Sequence, residues 1–283
     1  HIQGKYGRAS KVRQAPFLKG PFTGKGIMAF NSNFGRAGTQ AGVGSLDAGL
    51  RSYMCRVFNW MAIGLVVTGL VAYGVAETSL RALFFHLAET PNGAFVLRPT
   101  FLGGVAIFAP LAFVMVLSFG INRLSRSAVQ AIFLLFSAAM GASMSSLLLS
   151  YTGVSVARTF FISAVMFGGM ALWGYTTGAN LLRLGSFLFM GLIGIMIAMV
   201  VNIFLHSAPL AMLVSLIGVA LFTGLAAYDT QRIKINYQQY MSFASQDDIG
   251  KLSIYDALSM YLNFVNLFQF LIQFTGVRSS NSD

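Results

Sequence analysis

Between Glu89 and Asp229 the chain carries no carboxylate, and the residues between them form apolar runs broken only by short polar or basic connections. Runs of about 20 apolar residues are long enough to cross the hydrocarbon core of a bilayer as helices, at about 1.5 Å per residue. Hydrocarbon offers no partner to backbone N–H and C=O groups, so each run must close its own hydrogen bonds as a helix. Of the 283 residues only 10% are charged and 56% are hydrophobic, and the mean hydropathy is +0.70, a balance outside that of soluble domains. The expected fold class is an all-α polytopic membrane protein in the form of one helix bundle.

Seven segments reach membrane length: about 57–76, 101–120 with Pro110 near its middle, 128–150, 154–175, 185–205, 207–228 and 252–274. Residues 47–56 read as an amphipathic lead-in lying at the membrane surface, and 80–87 as a short surface helix. Ser137, Gly141 and Ser145, four apart, give the third span a face of small residues that another helix can approach closely. Asn180 suits a helix N-cap. Asn202 and His206 read as hydrogen-bonded structural side chains rather than ligands.

Residues 1–46 are basic and Gly/Ser-rich, hold seven of the nineteen Lys and Arg and no acid, and have too few apolar anchors to fold alone. Three regions are thus expected: this tail, a membrane domain over 47–276 and a short end at 277–283. Counted by side, fourteen Lys and Arg fall with the N-terminus and four (positions 81, 98, 158 and 278) opposite, with Arg56 at the boundary. The N-terminus is therefore expected inside. A basic, acid-free start points to a mitochondrial inner membrane, with a bacterial inner membrane as the alternative. The bilayer is the first expected partner, and further subunits of a membrane complex, held through 1–46, are the second. No aromatic-basic platform supports nucleic-acid binding. Gly42-Val43-Gly44 lacks the third glycine and flanking strand of a dinucleotide loop. With one cysteine, Cys55, and no Cys/His cluster, neither a disulfide framework nor a resident metal is expected.

Two features carry the candidate chemistry. Asp229, at the end of the sixth apolar run, is an acid where acids are costly, and such a group must be paired, protonated or wetted. The seventh segment places Asp256, Ser259, Asn263, Asn266 and Gln273 on one helical face, so it should sit centrally with that face turned inward. Asp256 lies seven residues before Asn263, about 10 Å nearer the helix start. It is expected to cap the helix, or to act as a second carboxylate where water reaches it.

Leu184-Gly185-Ser186-Phe187-Leu188-Phe189-Met190-Gly191-Leu192 with Asn202-Ile203-Phe204, then Tyr228-Asp229-Thr230-Gln231, then Ala257 to Phe268 resemble the transmembrane Bax-inhibitor-motif family, its bacterial branch most closely, over about 47–276. The resemblance implies six helices around a seventh and a pH-sensitive calcium leak or calcium/proton exchange. It implies an aspartate in each of the last two helices and an arginine at the end of the second. Those positions match Asp229, Asn263 and Arg123. Asn263 departs from the pattern: an amide can hydrogen-bond but cannot trade a proton.

The expected ion-pathway or pH-sensing residues are therefore Asp229, Arg123, Asn263 and Asp256, with a transient calcium contact at Asp229 and no cofactor. No nucleophile, base and orienting group can be assembled, so no enzymatic activity is expected. Two functions remain open: a cation leak or exchanger attenuated by Asn263, and a non-transporting accessory subunit anchored by its basic tail.

Overall fold

A computed structural model of the chain describes residues 32–89, 95–120, 124–240 and 245–279. Its helices are α1 (Ser32–Glu77), α2 (Arg81–Phe84), α3 (Phe101–Gly120), α4 (Arg126–Ser150), α5 (Gly153–Thr176), α6 (Gly185–Leu205), α7 (Ala208–Tyr240) and α8 (Gln246–Thr275). Six of them are long and apolar enough to cross a membrane by length and composition. The remaining long helix, α3, is 20 residues without a charged side chain and holds Pro110 inside it. The residues from Ser45 onward form one compact unit.

Burial differs sharply among the spans. Of the most apolar stretch of α8, 67% is buried, against 11% in α6. The helix with the polar face is therefore the core of the bundle, and α6, wholly apolar in its middle, faces outward. Around α8 lie the fully buried Phe133 and Phe136, whose ring edges meet Tyr261 at 6.0 and 5.5 Å.

Between helices in lipid no water is expelled, so close packing must supply the attraction. Small residues provide it here. A Cβ at Gly141 of α4 would stand 2.6 Å from the Thr68 carbonyl of α1, and one at Gly174 of α5 would run into the backbone of Ala227 in α7. The small-residue face of α4 thus packs on α1, where the Thr68 hydroxyl donates to the carbonyl of Ser137.

Several boundaries differ from the sequence reading. α1 begins at Ser32, so the last part of the stretch read as an unfolded tail is helical. Extending a helix that already exists needs no new nucleus. The lead-in 47–56 is not a separate surface helix. It is a continuous part of α1, with Leu50, Tyr53 and Met54 buried against the bundle.

The segment read as a surface helix at 80–87 keeps only the turn of α2. It then enters a hairpin of β1 (Phe85–Glu89) and β2 (Phe95–Pro99), antiparallel with Leu87 opposite Leu97. A β-branched and aromatic second strand, Phe-Val-Leu-Arg-Pro, offers Phe85–Glu89 a ladder that an isolated short helix cannot match.

α7 continues twelve residues beyond Tyr228, the expected end of its span, to Tyr240. Lys234 Nζ ties this extension to the carbonyl of Tyr175 at 2.8 Å, and the Tyr237 ring lies 4.8 Å from that of Tyr53. At the opposite end the chain after α8 folds back on the α4–α5 turn. The amide of Val277 donates to Ser155 Oγ, and that of Ser279 to the carbonyl of Ser150.

Candidate functional site

The site is built by two antiparallel helices whose facing residues recur every three and four positions. α7 contributes Ser215, Gly218, Phe222, Leu225, Asp229 and Arg232; α8 contributes Gln273, Phe270, Asn266, Asn263, Ser259 and Asp256. That spacing keeps both rows on the shared seam.

Asp229 sits on this seam, 4% exposed, three turns before α7 ends. It does not finish a helix at the membrane surface. Its Oδ2 accepts from Ser259 Oγ at 2.7 Å and from Asn263 Nδ2 at 2.6 Å, and its Oδ1 faces Arg232 Nη2 at 3.1 Å. Arg232 Nη2 also donates to Ser259 Oγ at 3.2 Å, which closes a ring of three side chains with Asn263 attached at Asp229. A carboxylate withdrawn from water is tolerated only when its lone pairs are met in this way. The arrangement satisfies the acid and pins α7 to α8.

Asp256 stands one turn nearer the start of α8 and does not cap it. Ser245 is the cap, accepting from the amide of Asp248 at 3.2 Å. Asp256 instead accepts a 2.6 Å hydrogen bond from the Tyr53 hydroxyl, which binds α1 to α8. The helix starts earlier than hydropathy indicates because Ser245 with Asp247 and Asp248 in the first turn suits the positive end of the helix dipole.

Towards the other end the polar stripe is interrupted. Phe270 occupies the missing step between Asn266 and Gln273, stacks on Phe222 at 5.7 Å and lies against Gly218, where a Cβ would be 2.6 Å from its ring. Beyond it Ser215 Oγ meets Gln273 Oε1 at 3.3 Å.

The rest of the Tyr-Asp-Thr-Gln stretch braces the site. Gln231 Oε1 accepts from the amide of Leu181, and its Nε2 donates to the carbonyl of Ala179, both at 2.7 Å. It thereby holds the 3₁₀ turn Leu181–Leu184, whose own cap is Asn180 through Leu182 N. Tyr228 packs on Gly185, and Thr230 Oγ1 returns to the Ala226 carbonyl. Asn202 Oδ1 accepts from Ser207 N ahead of α7, and His206 takes the left-handed φ of 49° between α6 and α7.

Of the residues expected at the site, Asp229 and Asn263 are in direct contact, and Asp256 lies on the same face of α8 with a separate partner. Arg123 lies outside the described residues. The cation set against Asp229 is Arg232, beyond the end of the apolar run; a helix continuing through Arg232 at i+3 is the signal that points to it. Tyr53, 203 positions from Asp256, carries no signal in the sequence. Among the described residues no three His, Cys, Asp or Glu side chains converge as a metal site would.

Long apolar helices around a central one with a satisfied polar face define an integral multi-pass α-helical membrane protein. The family model described as "Inhibitor of apoptosis-promoting Bax1" matches residues 50–280, and the chain belongs to that family. It is 42% identical over 233 residues to an uncharacterized protein of Caulobacter vibrioides, covering 82% of this chain and 91% of that one. To an uncharacterized protein of Rickettsia prowazekii it is 41% identical, over 83% and 93% of the two chains. To the inner membrane protein YbhL of Escherichia coli K12 it is 42% identical, over 82% and 94%.

Proposed function

We propose that the protein is a weak, pH-responsive cation pathway, a calcium leak or calcium/proton exchanger, whose seam between α7 and α8 is the latch. The observation that carries this reading is the carboxylate of Asp229, 4% exposed and held by Arg232, Ser259 and Asn263. Carboxylate and amide oxygens lower the cost of dehydrating a divalent cation, and here Asp229 of α7 and Asp256 and Asn263 of α8 stand along the seam between the two helices. With the Arg232 pair intact the helices are clasped. Protonating Asp229 discharges the acid and releases its hold on Arg232, a local charge change that loosens a packed seam. Calcium meets Asp229 transiently in this scheme, and no cofactor or catalytic step enters it.

The test is calcium flux in proteoliposomes across a pH series. Asp229→Asn is expected to change the flux and flatten its pH dependence; equal flux and equal pH profile from variant and wild type would remove Asp229 from any gating role.

One contact favours a second reading, a non-transporting accessory subunit. Asn263 meets Asp229 with a neutral donor, so the seam is fully satisfied without a second titrating acid. On that reading the basic tail holds other subunits, and copurification with the full chain is the measurement that separates the two. For location, the bacterial relatives and the inner-membrane name of YbhL support a bacterial-type inner membrane over the mitochondrial one that the basic tail suggests.

A further inference from the structure

A crevice of about 480 Å³ opens between α1 and α5 and reaches the central helix. Gly69 and Tyr73 of α1 and Phe160 and Phe161 of α5 form its sides, and Phe264 and Phe268 of α8, 3% and 5% exposed, lie deepest. We propose that this crevice holds one acyl chain of a bilayer phospholipid.

The lining selects for hydrocarbon. Its Thr68 hydroxyl is engaged with Gly64 O, Ser137 O and the Tyr261 hydroxyl, so it has nothing to offer a polar ligand. The outermost lining residues at the mouth, Tyr73 and Phe161, are 63% and 67% exposed on helices long and apolar enough to cross the membrane. The medium at that mouth is lipid, and an apolar cavity of this kind stays dry. Left empty, it would forfeit dispersion contacts along its whole lining.

Length argues the same way. On α1 the lining runs from Leu65 to Glu77, a rise of twelve residue steps. At 1.5 Å per residue that is about 18 Å, close to the roughly 15 Å of hydrocarbon in one leaflet. The two ends differ as a lipid's do: Leu65 lies mid-helix, while the Glu77 carboxylate closes the end where α1 stops, at headgroup level. A seated chain would pack on Phe264, whose neighbour Asn263 holds Asp229. The proposal itself does not depend on transport.

The experiment uses the full chain in phospholipid vesicles doped with a phosphatidylcholine that carries a diazirine on its acyl chain, with labelled peptides mapped after illumination. In wild type the peptide bearing Phe264 and Phe268 is labelled, as is the lipid-facing Phe187–Phe189 stretch of α6, which serves as the control. A Cβ at Gly69, and one at Gly153 on the same lining, would meet nothing within 4 Å, so a large side chain there fills the crevice without breaking a packed contact. Gly69→Phe and, separately, Gly153→Phe are expected to cut α8 labelling several-fold and leave α6 labelling unchanged. If Gly69→Phe fails to fold, Gly153→Phe carries the test. Labelling of α6 alone in wild type, labelling of α8 that persists in a folded variant, or chain-to-chain crosslinks through the crevice in its place, each overturns the proposal.

Discussion

An acid in the middle of a bundle is held in place by its donors, and the identity of each donor decides what the acid can do. Asp229 receives two short hydrogen bonds on Oδ2 and a cation on Oδ1. Asn263 supplies one of them, and the distance makes the amide's role testable. Asn263→Asp would set two carboxylates at the 2.6 Å separation that the amide now spans, and like charges so close must share one proton. The folded state of that variant keeps the shared proton, while its unfolded chain has no such pair. As pH rises and the proton leaves, repulsion appears in the folded state alone, so stability falls with rising pH. The expected outcome is a thermal midpoint that declines from acid to neutral pH much more steeply than that of wild type. In proteoliposomes the same variant is expected to gain pH-dependent flux; flat profiles in both assays would show that Asn263 does not limit a proton response. At this scale the sequence was informative where a property is local. A lone acid at the end of an apolar run, and a polar row at helical spacing, point to Asp229 and Asn263 directly. Partners brought from far along the chain, such as Tyr53, have no local signature.

At the scale of helices, hydropathy marks which segments enter the membrane but not where their helices stop. α7 and α8 both extend past the apolar run, because caps, aromatic contacts and basic side chains support a helix after lipid contact ends. The hairpin β1–β2 was missed for a related reason: its strands are too short for a clear alternation. Close approach of helices is the feature most exposed to mutation. Gly174 of α5 has the backbone of Ala227 across from it, and backbone cannot rotate out of the way. Gly174→Ala is expected to push α5 from α7 and cost about 1–3 kcal/mol. Gly168, on the same helix, has nothing within 4 Å of its Cβ position. Gly168→Ala should therefore be neutral or stabilise by up to about 1 kcal/mol through helix propensity. Unfolding of the two variants side by side in detergent checks the contrast; equal midpoints would mean the α5–α7 contact tolerates the extra methyl.

For the molecule as a whole, every polar contact described above falls within the compact unit that begins at Ser45. Lipid surrounds this unit on its outer face, so its cohesion comes from packed small residues and satisfied polar groups rather than from expelled water. A chain of residues 45–283 should accordingly fold without the segment before it, with an unfolding midpoint equal to that of the full chain. This truncation also separates the two functional readings, because they place function in different parts of the polypeptide. If the seam of α7 and α8 conducts, removing residues 1–44 leaves calcium flux per molecule and its pH profile intact. If the protein is an accessory subunit, the truncated chain keeps its fold but loses whatever copurifies with the full one. The basic charge supports that expectation: seven of nineteen Lys and Arg precede Asp47 with no acid among them. Flux that disappears from a correctly folded 45–283 chain would contradict the pathway reading, since a latch confined to α7 and α8 has no need of the tail.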